Sequence, residues 1–171
     1  MDVSVIDAIT SVYNRQHFLE RLDEEVSRAY RDSHKLAILL VMVILPDEMD
    51  RYVRMIRTDD VLYTVAGCIR RSVRKLDVVA RYGQMCFGLI LPHTAQHADT
   101  VAERLYEVVR SIDIESSHRG ATFSPSARVG VAKYPTDAIN SRDLLRAAAA
   151  RLGVTLEDLI GEEQYPLKRA A

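Results

Sequence analysis

The side chains best suited to chemistry in this 171-residue chain fall into a few small groups. Arg74 and Asp77 stand three residues apart, and Arg104 follows on a later segment in the run Ala102-Glu103-Arg104. A guanidinium is a planar fork that grips a phosphate or a base edge with paired hydrogen bonds and can stack on an aromatic base. At this spacing the ordinary reading of Arg74 and Asp77 is a solvated salt bridge within one helix. Asp59 and Asp60 offer neighbouring carboxylates, but Thr58 or Asp59 also stands where the N-cap of a helix is expected. Of the two thiols, Cys68 falls on an apolar helical stripe and reads as core. Cys86 has no base or second thiol beside it in sequence, so a redox role is not read from it. Among five histidines only His93 and His97 approach metal-ligand spacing, and they straddle a loop-to-helix junction. No metal site is read from them.

The elements that must position these groups follow from periodicity. Asn14 can cap a helix running to about Ser33, with Phe18, Leu22, Val26 and Ala29 as its apolar stripe. Its polar run from Glu20 to Arg28 is a solvated face. The continuous apolar run Leu36 to Leu45 predicts a strand buried on both faces. Two helices are predicted next, one carrying Met49, Tyr52, Val53 and Ile56, the other capped at Thr58 or Asp59 with Val61, Leu62, Val65 and Ile69 inward. Strands Val78 to Tyr82 and Cys86 to Leu91 flank Gly83-Gln84 in a tight hairpin. A helix over Ala95 to Ile112, a strand over Phe123 to Tyr134 and a helix over Asp143 to Leu152 complete the pattern. Thr155 to Asp158 forms a capping-box pattern in the tail. This order predicts a mixed sheet with helices packed against it.

Composition bounds the partners. Hydrophobic residues make up 48% and charged residues 27%, the balance of an ordinary globular domain with a full core. The net charge of −1 gives no general field to attract nucleic acid. The longest apolar run is about half of the roughly 20 residues a spanning helix needs. The start at Met1-Asp2-Val3-Ser4 lacks a signal-peptide pattern. A reduced, cytoplasmic setting with no membrane insertion is expected.

Four stretches carry a family resemblance. Asp7-Ala8-Ile9-Thr10-Ser11-Val12-Tyr13-Asn14-Arg15 follows the pattern D-x-L-T-G-L-x-N-R. Asp59-Asp60-Val61-Leu62 with Val65-Ala66 follows G-D-x-V-L-x-x-V-A. Arg74 to Gly83 follows R-x-x-D and the approach to a signature hairpin. Ser126-Ala127-Arg128-Val129-Gly130-Val131-Ala132 follows S-x-G-V-A. Together they resemble the GGDEF family of domains that make cyclic di-GMP. The resemblance covers residues 7–150 of what reads as one domain over 1–171, with 151–171 a divergent tail. It implies an α/β fold of the α+β sandwich type, related to nucleotide cyclase and polymerase palms, with a central five-stranded mixed sheet flanked by helices.

Such a cyclase joins two GTP molecules, with the 3'-hydroxyl of one attacking the α-phosphate of the other. Metal ions must neutralise the developing charge, and hard cations need oxygen ligands. The resemblance assigns one metal-binding aspartate to position 42 and the acidic pair of the hairpin to positions 85 and 86. This chain has Met42, Met85 and Cys86 there, and its hairpin reads Gly83-Gln84-Met85-Cys86-Phe87. The Phe-Lys pair of the family becomes Pro46-Asp47, and the guanine-contacting asparagine falls at Asp50. Asp59 survives as a guanine-binding remnant. The basic residues that hold the triphosphate fall near Leu156 and Ile160. Magnesium binding and cyclisation are therefore expected to be lost.

The inhibitory product site of the family is filled in contrast: Arg74, Asp77 and Arg104 match its three positions. The expectation is a catalytically inactive, degenerate GGDEF domain that binds cyclic di-GMP and signals through a homodimer or a partner domain. Two alternatives stand beside it: a ligand-free interaction module, and an active diguanylate cyclase.

Overall fold

A computed structural model describes residues 4–47, 51–115 and 122–161, with residues 51–57 described as backbone alone. The elements in chain order are α1 (Arg15–Asp32), β1 (Leu36–Ile44), α2 (Arg51–Ser72), β2 (Val78–Gly83), β3 (Cys86–Pro92), α3 (Ala98–Arg110), β4 (Ile114–Glu115), β5 (Thr122–Phe123), β6 (Ser126–Tyr134), α4 (Ser141–Leu152) and α5 (Leu156–Ile160). A short 3-10 turn, Ala95–His97, leads into α3.

The apolar run of β1 is the centre of the molecule, and its alternation divides the core in two. Ala37, Leu39, Val41 and Val43 face a cluster built from α2 and α3, including Val61, Val65, Ile69, Leu105 and Val109. Leu36, Ile38 and Leu40 face the other cluster, built from α1 and α4 with Phe18, Leu22, Leu144, Ala148 and Leu152. A strand covered on both faces has no polar side to show, which is why its sequence is continuously apolar. The result is an α+β sandwich of helices on both sides of a sheet.

That sheet has four strands, in the order β2-β3-β1-β6, and β4-β5 is a separate two-stranded hairpin. All ladders of the sheet are antiparallel. The expected five-stranded mixed sheet is thus corrected to four antiparallel strands. The strand expected over Phe123 to Tyr134 is split, because Phe123 pairs with Ile114 rather than with β1. Among the described residues the parallel pairing is one isolated bridge, Tyr13 to Ala80. Through it the segment before α1 covers the edge of β2: the Tyr13 N–H donates to the Val79 carbonyl, and the Arg81 N–H donates to the Tyr13 carbonyl. At the opposite edge, Arg151 donates to the Val131 carbonyl and Asp137 accepts from the Lys133 N–H, so two side chains blunt β6.

The opening motif explains itself here. Asp7 Oδ1 accepts from the Thr10 N–H at 2.9 Å and the Thr10 hydroxyl at 2.7 Å, and lies 3.5 Å from Arg81 of β2. Partial burial works to raise the Asp7 carboxyl, but these donors and the guanidinium outweigh it and hold the group below its ordinary value. Asn14 caps α1 by accepting from the His17 N–H, as expected.

One continuous α2 replaces the two predicted helices. Thr58 is buried and Asp59 exposed within it, so neither is an N-cap. Nearby Thr64 shows how such a residue sits inside a helix, its hydroxyl donating to the Asp60 carbonyl one turn back. Met49 and Asp50 lie outside the described residues. Gly130 of the S-x-G-V-A pattern has a plain packing reason. A Cβ there would stand 2.1 Å from the Ala148 carbonyl oxygen, so only glycine lets α4 approach β6 this closely.

Candidate functional site

Two loci gather the residues singled out by sequence. The first is the β2–β3 hairpin, whose turn residues are Gln84 and Met85, one position later than expected. Gly83 pairs with Cys86 across a register shift. Met42 of β1 stands directly opposite Cys86 of β3. Both side chains pack into the α1–α4 cluster, while Met85 turns to the α2–α3 cluster. The Met85 carbonyl accepts from the Val43 N–H at 2.8 Å, so its backbone belongs to the sheet even where its side chain does not. Cys86 is 1% exposed, and burial pushes its thiol up to about 12. A thiol in that state is inert as a nucleophile.

The C-terminal helix closes this locus. Thr155 and Asp158 form the capping box expected from sequence, and Leu159 is buried against Tyr82 and Cys86 in the same cluster. A Cβ at Gly83 would lie 1.8 Å from the Leu159 carbonyl oxygen, so glycine is required for α5 to dock. Leu156 is half-buried against the core, and Ile160 is partly exposed. Neither offers a charge. Among the described residues no group of three or more His, Cys, Asp or Glu side chains could hold a metal ion.

The second locus is a groove of about 230 Å³ lined by Arg74, Asp77, Thr94, His97, Thr100, Val101 and Arg104. One wall is the connection between α2 and β2, and the other is one face of α3. Arg74 and Asp77 are therefore not on a helix, and their expected intrahelical salt bridge is replaced by a backbone-anchored turn. Asp77 Oδ2 accepts from the Arg74 N–H at 2.8 Å, and the Asp77 N–H donates back to the Arg74 carbonyl at 3.1 Å. Arg70, in the last turn of α2, locks the turn. Its Nη1 donates to the Asp77 carbonyl at 2.6 Å, and its Nη2 to the Arg74 carbonyl.

This construction frees the functional atoms. Asp77 is only 7% exposed, and its Oδ1 makes no hydrogen bond among the described residues. Burial raises its carboxyl above the ordinary value, against the pull of the Arg74 N–H and of the Arg74, Arg70 and Arg104 charges. Arg74 and Arg104 are exposed, and among the described residues neither is in an ion pair. Two guanidiniums, one carboxylate edge, two hydroxyls and an imidazole thus converge on one groove. That set recognises an anion carrying a hydrogen-bonding edge.

The structure brings together Arg74, Asp77 and Arg104, as the sequence suggested. It likewise unites Met42 with Cys86. Asp59 lines neither locus: it is exposed on α2. Asp50 lies outside the described residues. His93, paired with His97 by spacing, instead stacks its ring 3.9 Å from that of His34. Sequence reasoning missed Thr94, Thr100 and the clamp Arg70, and weighed His97 only as half of a metal-spaced pair. The recurrence of positions 97, 100, 101 and 104 on one helical face is the signal that could have found three of the four groove residues it marks.

Residues 4–155 match the family model described as diguanylate cyclase, GGDEF domain. The chain belongs to the GGDEF family. Diguanylate cyclase TpbB of Pseudomonas aeruginosa is 31% identical over 144 residues, covering 83% of this chain and 33% of TpbB. Diguanylate cyclase DgcP of the same species is 27% identical over 138 residues, covering 77% of this chain and 19% of DgcP. The chain thus spans between a fifth and a third of these relatives. Among solved structures, diguanylate cyclase SiaD of P. aeruginosa, crystallised with its activator SiaC, superposes with a TM-score of 0.77 at 29% identity over 88% of this chain and 57% of that one. This GGDEF domain therefore has the family's fold. Among its described residues no helix is long and apolar enough to cross a membrane.

Proposed function

We propose that this GGDEF domain is a regulatory module that binds cyclic di-GMP in the groove between the Arg74–Asp77 turn and α3, and that it does not cyclise GTP. The observation that carries the reading is the convergence of exposed Arg74 and Arg104, neither in an ion pair among the described residues, on the carboxyl edge of Asp77 in one groove. Each arginine can meet a phosphodiester or stack on a base, and Asp77 Oδ1 can accept from the N–H edge of guanine. The groove is smaller than the roughly 300–1,000 Å³ of a typical small-molecule site. It suits one guanine with its phosphate, the rest of the ligand lying over the surface.

The other half of the proposal rests on the donors at the hairpin. Met42 and Cys86 offer a thioether and a thiol with its proton held tightly. A hard cation such as magnesium needs oxygen donors, so these residues do not fit the metal on which the family's chemistry depends. With Leu156 and Ile160 in α5, no cation faces a triphosphate from that helix.

Calorimetric titration with cyclic di-GMP tests the first half. Saturable binding that Arg74→Ala abolishes supports it, and binding unchanged in Arg74→Ala rejects the site. Incubation with GTP and magnesium or manganese tests the second half, and formation of cyclic di-GMP at a rate proportional to protein would end it. A second reading, a protein-interaction module, draws on the likeness to SiaD, which was crystallised with a protein activator. It gains if cyclic di-GMP fails to bind at any concentration tried.

A further inference from the structure

We infer that Arg70 is a positioning residue of the groove: its guanidinium holds the Arg74–Asp77 turn in the shape the ligand needs before the ligand arrives. The inference rests on the cyclic di-GMP reading above and names a determinant that acts through that site's residues without touching the ligand.

Arg70 belongs to the last turn of α2 and does not line the groove. Its side-chain hydrogen bonds leave the helix altogether. Within that turn the Cys68 carbonyl accepts from the Ser72 hydroxyl at 2.7 Å, and neighbouring Arg71 donates to the Cys68 sulfur at 3.3 Å. Arg70 instead reaches forward to the carbonyls of Arg74 and Asp77, four and seven residues on. A planar guanidinium can hold two acceptors at a fixed separation, so one side chain bridges both ends of the turn.

The consequence for Asp77 is geometric. Its N–H donates to the Arg74 carbonyl, its own carbonyl accepts from Arg70, and its Oδ2 accepts from the Arg74 N–H. Among the described residues Oδ1 is the polar atom of Asp77 left for a ligand, and the other three contacts set where it stands. The same bonds engage both backbone polar groups of Arg74, so its exposed guanidinium extends from an anchored Cα. Arg104 differs, because α3 itself carries it. A turn held beforehand spares the ligand the cost of ordering its backbone. Burial raises the Asp77 carboxyl, and after the Arg74 N–H and the Arg74 charge, the Arg70 charge opposes that rise.

The experiment joins calorimetric titration with cyclic di-GMP to amide hydrogen exchange, on wild type, Arg70→Ala, Arg70→Lys and Arg71→Ala. Arg70→Ala should bind about tenfold more weakly, the cost of ordering roughly one backbone residue. In free wild type the Arg74 and Asp77 amides should be protected. In free Arg70→Ala those two should exchange faster while the amides of α3 and β3 keep their protection, and bound cyclic di-GMP should restore them. A residue that merely ends α2 gives no such ligand-dependent recovery. Arg70→Lys keeps the stem and the charge but loses the fork, so it should stay folded and show the same pattern more weakly. Arg71→Ala removes an equal charge one residue away and should change neither affinity nor exchange at the turn. Affinity and protection equal to wild type in both Arg70 variants would overturn the inference while leaving the binding site in place. So would weaker binding with both amides still protected, or an equal loss of affinity in Arg71→Ala, the mark of charge alone. Absence of binding by wild type would overturn the cyclic di-GMP reading, and the inference with it.

Discussion

At the hairpin, the side chains at positions 42, 85 and 86 pack against the core. Met42 and Cys86 lie in one hydrophobic cluster and Met85 against the other, and α5 covers the hairpin. At the groove the same fold leaves Arg74 and Arg104 exposed, with no ion pair among the described residues, beside a carboxyl whose pKa burial raises. Packing of the first kind stabilises the fold with no ligand present. The two exposed guanidiniums around the groove bury nothing comparable, and the carboxyl that faces them there is that of Asp77. The two regions differ in what meets their side chains, the chain itself at the hairpin and solvent at the two arginines of the groove.

The largest effect should come from placing a carboxylate at the hairpin. Cys86→Asp places an unpaired charge in a site with 1% exposure and should cost about 3 kcal/mol or more in urea denaturation at pH 7. Burial raises the pKa of such a group, so its destabilising effect shrinks as pH falls and the carboxyl takes up its proton. Stability equal to wild type at pH 7 would mean that the hairpin is an open site, and the contrast would fail. The next test crosses the two regions. Arg104→Ala should weaken cyclic di-GMP binding by about ten- to a hundredfold, the worth of a charged hydrogen bond, with an unchanged melting curve. Met85→Ala should do the reverse, lowering stability by about 1–2 kcal/mol and leaving affinity alone.

Gly83→Ala sharpens the description of the hairpin. Its new methyl would meet the Leu159 carbonyl, so α5 must shift, at about 1–3 kcal/mol. Proteolysis after α4 should become faster in that variant. The smallest effect concerns His34, whose two ring nitrogens are covered and have no hydrogen-bond partner among the described residues. Burial first, then the neighbouring His93 and Arg28, lower its tendency to protonate, while Asp32 and Glu25 oppose them. The unfolded chain therefore binds the proton more readily than the folded one. Stability is full above the ordinary value of 6.5 and declines as pH falls below it. Thermal melting at pH 7.5 and 5.5 should show that decline in wild type and less of it in His34→Gln.

Much of this was legible in the sequence because the signals are local. The Asn14 cap, the two-faced strand Leu36 to Leu45, the hairpin and the Thr155–Asp158 box each depend on residues a few positions apart, and the structure has them all. The failures have one physical source. Thr58-Asp59 and Arg74-x-x-Asp77 are short polar patterns that serve equally in a cap, a helix or a turn. Tertiary packing decides among these: it buries Thr58 inside α2, and Arg70 holds the second pattern out of helix. The role of Thr94, His97 and Thr100 as one wall of a groove was hidden for another reason. Their neighbours are on a different segment, and only the docking of α3 beside the turn brings the two walls together.

The contact of Leu159 with Gly83 ties one of the last elements of the described chain to a hairpin in its middle. During synthesis on the ribosome the hairpin emerges long before the helix that covers it. Tyr82 and Cys86 must therefore wait, with apolar surface uncovered, until residues near 159 have left the exit tunnel. In that interval the nascent domain presents a sticky surface, so this end of the molecule is where chaperone protection during translation would matter most.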